Sequence, residues 1–190
     1  KRELKSMIAK KYDPIIISMI TKRELDKYTY EDLLDADFVI TSFTFLDNKN
    51  FTNKWVPELS ALKSYNKSSS FNHAKAEKVF DKMGKILVKD PLNNIQKKQP
   101  LLHLIKWHRL VVDEFHEVYG KKYPYVANLL PHIKSSFRWS VTATPFINNN
   151  SLYNNVNYLT NFENPYEKRI LSSYDVIKFL CNNCFRRNTK

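Results

Sequence analysis

The chain alternates short apolar runs with segments whose apolar residues recur at helical spacing. Four of the runs are typical of β-strands, at residues 15–20, 38–42, 110–112 and 138–141. The first, Ile-Ile-Ile-Ser-Met-Ile, is apolar on both faces, as in a strand that helices cover on both sides of a sheet. Strands separated by helices pair in parallel through right-handed crossovers. The pattern therefore predicts an α/β fold, a parallel sheet with flanking helices.

Helical patterns lie between these runs. Thr29 precedes acidic residues, which is typical of a helix N-terminus, and predicts a short helix through Leu34. The long segment at about 48–106 is interpreted as a mostly helical insert, whereas its breaker-rich stretch 89–100 predicts a loop. One amphipathic helix in the insert packs on its own domain or docks to a partner. Its apolar positions are Ala76, Val79, Phe80, Met83, Ile86 and Leu87.

Composition limits the classes of protein to which the chain can belong. Of its 190 residues, 43% are hydrophobic, which suits a packed core and argues against a disordered tail. No apolar run reaches the length of about 18 residues that crosses a membrane, so we expect no membrane partner. Two cysteines exclude a disulfide scaffold and fit a reducing, intracellular compartment. The net charge of +12 favours a polyanionic partner, although solvated surfaces are often equally basic.

The chain has only two glycines, Gly84 and Gly120, and neither lies in a phosphate-binding loop of the form GxxxxGK[ST]. Such a loop needs several glycines because only bare backbone approaches phosphate oxygens closely. The first residue, Lys1, is also not methionine. We therefore interpret the chain as a fragment or processed product in which any nucleotide site is incomplete.

Two adjacent carboxylates, Asp113 and Glu114, follow the third apolar run directly. Open α/β sheets bind ligands at this edge. A nucleoside-triphosphate hydrolase needs one carboxylate for Mg²⁺ and another to orient and deprotonate the attacking water. Asp113 fits the first role, Glu114 fits the second, and His116 is placed to hydrogen-bond to a neighbouring strand end. The alternative is that the carboxylates belong to a solvated turn or a helix N-terminus.

The fourth apolar run also ends in side chains that can hydrogen-bond. Thr142 and Thr144 stand at this strand end, before the helix-stopping Pro145. We expect their hydroxyls to contact His116 and Glu114 across neighbouring strands. Such contacts would transmit a structural change at a bound nucleotide to a bound nucleic acid. The alternative is a threonine-rich turn that only caps the strand.

Five segments of the chain carry one further likeness. They are A-D-F-V-I-T-S-F at 36–43, D-E-F-H at 113–116, R-W-S-V-T-A-T-P at 138–145, P-F-I-N-N at 145–149 with Leu152, and F-R-R-N-T-K at 185–190. Taken together, these segments resemble superfamily 2 helicase-like ATPases, most closely the SNF2 family. The likeness runs in matching order over most of residues 13–190, and D-E-F-H and R-W-S-V-T-A-T-P are similar to the family's motifs II and III.

The resemblance implies that residues 1–190 are part of one RecA-like helicase ATP-binding lobe, which lacks its phosphate loop and is followed by an absent second lobe. It implies that ATP and Mg²⁺ are the cofactors. The implied partners are double-stranded DNA, bound without sequence specificity, and the missing parts of the same protein. The implied residues are Asp113 for Mg²⁺, Glu114 for the attacking water, His116 with Thr142 and Thr144 for coupling, and Thr41, Ser42, Arg186 and Arg187 for nucleic-acid contact.

Other interpretations stay open beside this one. Thr41 and Ser42 also suit strand-end capping, and a terminal basic run is often merely solvated. An inactive helicase-like DNA-binding or assembly subunit is the alternative function, against which the intact Asp113 and Glu114 argue. An RNA helicase of the same superfamily is a third, which the R-W-x-x-T-x-T-P form disfavours. The Asn- and Lys-rich composition suggests a giant-virus source, and the expected location is the nucleus, or a virion or host cell.

The cysteines and the scattered histidines give weaker signals. Cys181 and Cys184 have the spacing of metal ligands, but a structural zinc needs four ligands and no second pair appears in the sequence. Free thiols are therefore favoured over a zinc site. We interpret His103, His108 and His132 as packing or surface residues.

Overall fold

A computed structural model describes residues 12–48, 73–118 and 122–144, together with residues 155, 158, 159 and 178. The chain divides into a first unit, Lys1–Lys106 with Tyr123–Lys134, and a second unit, Trp107–Lys122 with Ser135–Lys190. None of the described helices is long and apolar enough to cross a membrane. The first part of the predicted insert, residues 49–72, lies outside the described residues.

Short strands and helices alternate along the chain. Both strand pairs are parallel and helices flank them in sequence, so the predicted α/β class is confirmed. In chain order the described elements are β1 (Ile16–Met19), α1 (Lys22–Leu25), α2 (Tyr30–Asp35), β2 (Phe38–Thr41), α3 (Phe43–Leu46), α4 (His73–Lys89), α5 (Pro91–Ile95), a 3₁₀ turn (Leu102–Leu104), β3 (Trp107–Val112), α6 (Phe115–Val118), α7 (Pro124–Leu129), a second 3₁₀ turn (Leu130–His132) and β4 (Ser135–Ser140).

The first unit contains the parallel pair of β1 and β2, in which Met19 lies opposite Thr41. β1 is buried on both faces, as its run of apolar residues predicts. The unit's core joins β1 to the helices and to the first 3₁₀ turn. Its most buried apolar side chains include Met19, Leu33, Phe45, Phe80, Leu101 and Val126.

Capping boxes begin the two helices between β1 and β2. The hydroxyl of Thr21 accepts the N–H of Glu24, whose carboxylate accepts the N–H of Thr21 in return. Thr29 and Asp32 exchange the same two bonds at the start of α2. Each box satisfies N–H groups that have no partner inside the helix. The helix predicted after Thr29 is therefore confirmed.

The loop predicted over 89–100 is wrong for its first half, where the chain forms α5. Asp90 caps this helix, because its Oδ1 accepts the N–H of Asn93 at 3.5 Å and its Oδ2 accepts the Asn93 amide at 2.8 Å. Pro91 occupies the first helical position, where an N–H would have no helical partner. The buried Asn94 donates to two carbonyls at the end of α4. The Asp-Pro pair thus begins a helix.

Helix α4 confirms the predicted amphipathic helix, although Ile86 on its predicted apolar face is 52% exposed, and a buried histidine packs against it. The rings of Phe80 and His103 stack with their centroids 4.7 Å apart, and the Nε2–H of His103 donates to the carbonyl of Leu129 at 3.1 Å. Burial lowers the pKa of His103 to about 3, so the ring is neutral near pH 7. His103 is a packing residue, as predicted.

The second unit contains the parallel pair of β3 and β4, in which Val112 lies opposite Ser140. The pairing continues past the strand ends, because the N–H of Val141 donates to Val112 at 2.8 Å and the N–H of Phe115 donates to Val141 at 3.0 Å. Both strands begin three residues earlier than their apolar runs predict. The continued ladder holds the carboxyl ends of β3 and β4 side by side.

Candidate functional site

Asp113 and Glu114 form the turn between β3 and α6, at the predicted edge. The Oδ1 atom of Asp113 accepts the N–H of Glu114 at 2.9 Å. Glu114 has a φ of 48°, in the left-handed region that residues with a Cβ atom rarely adopt. Such a conformation costs on the order of 1–3 kcal/mol and persists only where the surroundings fix it. The Asp113 carboxylate on one side and the bond from Phe115 to Val141 on the other fix it here.

Buried neighbours anchor these two exposed carboxylates. Val112, just before them, is 4% exposed, and Phe115, just after them, is 3% exposed. The Glu114 side chain itself is 58% exposed. The site therefore combines a fixed backbone with carboxylates that a ligand can reach from solvent.

His116 links this turn to the end of the neighbouring strand. Its Nδ1 atom lies 2.8 Å from the hydroxyl oxygen of Thr142 and 3.4 Å from Oε2 of Glu114. The contact between His116 and Thr142 predicted from the sequence is therefore confirmed. Because one nitrogen faces both partners, a shift of Glu114 changes the environment of the bond to Thr142.

Thr144 takes a different place from the one expected. Its backbone N–H, and not its hydroxyl, makes the contact to the site, by donating to Oγ1 of Thr142 at 3.2 Å. Of the two threonines, Thr142 is the one whose hydroxyl the structure brings to His116. Thr142 is thus the centre of a short relay from His116 to the backbone that follows β4.

Thr41 is the last residue of β2 in the first unit, Ser42 follows it, and both hydroxyls have structural partners. Thr41 donates to the carbonyl of Met19 at 2.9 Å, and Ser42 accepts the N–H of Phe45 at 3.2 Å as the N-cap of α3. This is the capping that the sequence left open as an alternative. Contact with nucleic acid at these residues stays a prediction.

The remaining candidates fall on other parts of the chain. Arg186 and Arg187, the predicted nucleic-acid contacts near the end of the chain, lie outside the described residues. Cys181 and Cys184 lie outside them as well, so the question of a zinc site stays as the sequence left it.

Sequence reasoning missed two buried residues behind the site, Asn155 and Tyr158. Asn155 accepts a hydrogen bond from the Ser140 hydroxyl at 2.8 Å, at the end of β4. Tyr158 packs on Phe115 with ring centroids 4.9 Å apart, and its hydroxyl donates to Leu110 in β3 at 3.4 Å. The signal available was their spacing of three residues, which places them on one face of a helix.

The donor atoms of the site fit a metal that arrives with a ligand. Among the residues that the structure describes, no group of three or more His, Cys, Asp or Glu side chains could hold a metal ion. Mg²⁺ does not need such a group, because it takes one or two carboxylates and completes its shell with phosphate and water oxygens. The exposed carboxylate of Asp113 suits a nucleotide-bound Mg²⁺, and no protein-only metal cage is present in the described ranges.

Comparison with known proteins gives one match and one negative result. A family model, described as the SNF2-related domain, matches residues 5–174. The matched range includes both strand pairs and the turn that carries Asp113 and Glu114. None of the curated proteins matches the chain.

Proposed function

We propose that this chain, which belongs to the SNF2-related domain family of helicase-like ATPases, is part of a DNA-dependent ATPase. That enzyme would couple ATP hydrolysis to movement on double-stranded DNA. The family predicted from the five sequence segments is thereby confirmed. The observation that supports the proposal most strongly is the His116 link, which joins the carboxylates at the end of β3 to Thr142 at the end of β4.

Proteins of this family generally use ATP and Mg²⁺, and we assign Mg²⁺ to Asp113. The bound ion would neutralise charge that develops on the phosphate oxygens. Asp113 contributes an oriented carboxylate, because its Oδ1 is held by the N–H of Glu114. The phosphate loop and the second lobe of the enzyme are proposed to come from other parts of the complete protein.

Glu114 is proposed as the base that orients the attacking water and takes its proton. Its exposed carboxylate extends from a backbone that cannot relax without breaking the bonds on either side of the turn. A base held in this way contributes mainly through position, since the reorganisation before the reaction is small. His116 Nδ1, 3.4 Å from Oε2 of Glu114, responds to the change of charge when the proton arrives.

Thr142 is proposed to pass this response to the DNA-binding parts of the protein. A change in the bond between His116 and Thr142 reaches Thr144 through the bond from its N–H to Thr142. Contact with the DNA backbone is proposed for Thr41, Ser42 and the arginines at 186 and 187. Backbone contacts fix the position of a protein on DNA without reading its sequence, which suits movement along a duplex.

The test of the proposal is Glu114→Gln in the complete protein. We expect ATP binding to be kept and turnover to fall by about 10²- to 10⁴-fold, the usual contribution of a general base. Binding of a fluorescent ATP analogue and the rate of phosphate release measure the two effects separately.

Glu117→Gln is the matched control, because Glu117 lies on α6 shortly after Glu114 in the sequence. Its ion-pair partner is Lys122, whose Nζ is 3.5 Å from Oε2 of Glu117, and not His116. This variant should hydrolyse ATP at the wild-type rate. Retained turnover in Glu114→Gln would remove Glu114 from the role of base. Wild-type protein that binds DNA but hydrolyses no ATP would support the alternative, an inactive DNA-binding or assembly subunit.

A further inference from the structure

Helix α4 carries five lysines whose separations alternate between three and four residues. With 3.6 residues per turn, this spacing places all five within an arc of about 80°. All five are exposed, whereas the buried side chains of the helix, Ala76, Val79 and Phe80, point in other directions. We call these residues the lysine stripe: Lys75, Lys78, Lys82, Lys85 and Lys89.

Few acidic residues on α4 offset the positive charge of the lysine stripe. The helix has only two acidic residues, Glu77 and Asp81, against its five lysines. Asp81 already pairs with Lys134, whose Nζ lies 3.0 Å from its Oδ1. Lys134 and Asp81 also line an open groove of about 750 Å³ beside α4, together with Lys85 and Lys89. Three lysines and one aspartate therefore line one groove at the edge of the stripe.

The spacing of the lysines within the stripe works against the helix. Like charges three or four residues apart repel one another on a helix surface and destabilise it. The stripe contains four such neighbouring pairs in succession. A polyanion that lies along the helix removes the repulsion, so the stripe is suited to a partner with negative charge in a row.

The dimensions of the stripe suit a nucleic-acid backbone. From Lys75 to Lys89 the helix advances about 21 Å at 1.5 Å per residue. A DNA duplex carries a negative charge about every 1.7 Å of its axis, so charge is continuous over this whole length. Flexible lysine side chains act as point charges that do not require fixed phosphate geometry.

We propose that the lysine stripe is a further contact for the phosphate backbone of double-stranded DNA, independent of base sequence. The proposal rests on the function proposed above, in which duplex DNA is the substrate. It assigns a binding role to the exposed face of α4, while the opposite, apolar face packs in the first unit. The contact is electrostatic, so it weakens as salt is added.

The experiment replaces Lys78, Lys85 and Lys89 with glutamine in the complete protein. Glutamine removes the charge and is nearly as good a helix former as lysine. Fluorescence anisotropy with a labelled DNA duplex, over 50–200 mM salt, gives the dissociation constant and its salt dependence. Each lost phosphate contact makes the negative slope of log association constant against log salt less steep by about 0.9. We therefore expect the slope of the variant to be less steep by about 2 to 3.

The matched control removes three charges from another exposed part of the same unit, with Lys97, Lys98 and Lys106 changed to glutamine. This variant should keep the wild-type slope, and both variants should show the wild-type helix content by circular dichroism. An equal loss of slope in the two variants would overturn the proposal, because net charge alone would then explain it.

Three further outcomes would also overturn the proposal. A stripe variant with unchanged duplex binding, in a protein that binds DNA and hydrolyses ATP, would reject the stripe and leave the proposed function standing. Unchanged duplex binding with lost binding to polyglutamate or to anionic vesicles would reassign the stripe to another partner. Wild-type protein that binds no duplex would reject the proposed function together with the stripe.

Discussion

The bond between His116 and Thr142 allows a quantitative test of coupling, with Thr142→Val as the perturbation. Valine keeps the branched shape of threonine and lacks its hydroxyl, so the 2.8 Å contact to Nδ1 of His116 is lost without a cavity. The 3.2 Å bond from the exposed N–H of Thr144 is lost as well, and water can replace it. The His116 side chain is 29% exposed, so water can partly replace the lost partner. The cost is then that of an ordinary hydrogen bond, about 0.5–1.5 kcal/mol.

The effect on activity follows from this energy. If the bond acts only in the DNA-stimulated transition state, its loss lowers the stimulated kcat by about 2- to 13-fold. Phosphate release, measured with and without saturating duplex DNA, gives the stimulated and the basal rate. We expect the stimulated rate of Thr142→Val to fall more than the basal rate.

Two variants separate this explanation from a general disturbance of the strand end. Thr142→Ser keeps a hydroxyl and should restore stimulation. Thr144→Val keeps the backbone N–H that donates to Thr142, so its stimulated rate should stay within about two-fold of wild type. Equal losses in the stimulated and basal rates of Thr142→Val, or the same defect in Thr144→Val, would refute the reasoning.

Two further predictions concern stability. Tyr30→Phe should lower the free energy of unfolding by about 1–3 kcal/mol, because the N–H of Leu101 loses its buried acceptor, and an unchanged urea midpoint would contradict this. Burial lowers the pKa of His103 from 6.5 to about 3. As the pH falls, the unfolded chain therefore takes up a proton at this residue before the folded chain does. The free energy of unfolding is then lost as the pH falls from 6.5 towards 3. The loss is up to about 1.4 kcal/mol per pH unit, and urea midpoints from pH 7 to pH 4 should fall less steeply in His103→Gln than in wild type.

The sequence was sufficient to locate the four strands but not to identify their first and last residues. Each of the four strands contains an apolar run of the kind that the pattern detects. β4 nevertheless starts at Ser135, in a polar stretch that its own pattern does not assign to a strand. Pairing decides this bound, since Trp107 in β3 lies opposite Ser135. Helix α5 was missed for a different reason, because Asp90 and Pro91 are common both in loops and at helix starts.

The candidate site was predictable where strand geometry alone decides it. Parallel strands that end at one edge bring His116 and Thr142 together, and the structure confirms this. The same logic failed for Thr144, because alternate residues share a face only while the chain stays extended. The strand ends at Ser140, and the N–H of Thr144 turns back towards Thr142. The residues around Thr142 do not by themselves indicate this turn.

The geometry of the turn explains why D-E-F-H at 113–116 and R-W-S-V-T-A-T-P at 138–145 are informative only together. Glu114 is strained at a φ of 48°, and adjacent acidic residues in an isolated loop would relax from such a conformation. What prevents relaxation is the second strand, because Val141 accepts the N–H of Phe115 and donates its own N–H to Val112. Tyr158 adds packing against Phe115 from behind. The backbone conformation of Glu114 therefore depends on the segment directly after β4, which leads to Thr142, so the proposed base and the proposed coupling residue form one structural unit.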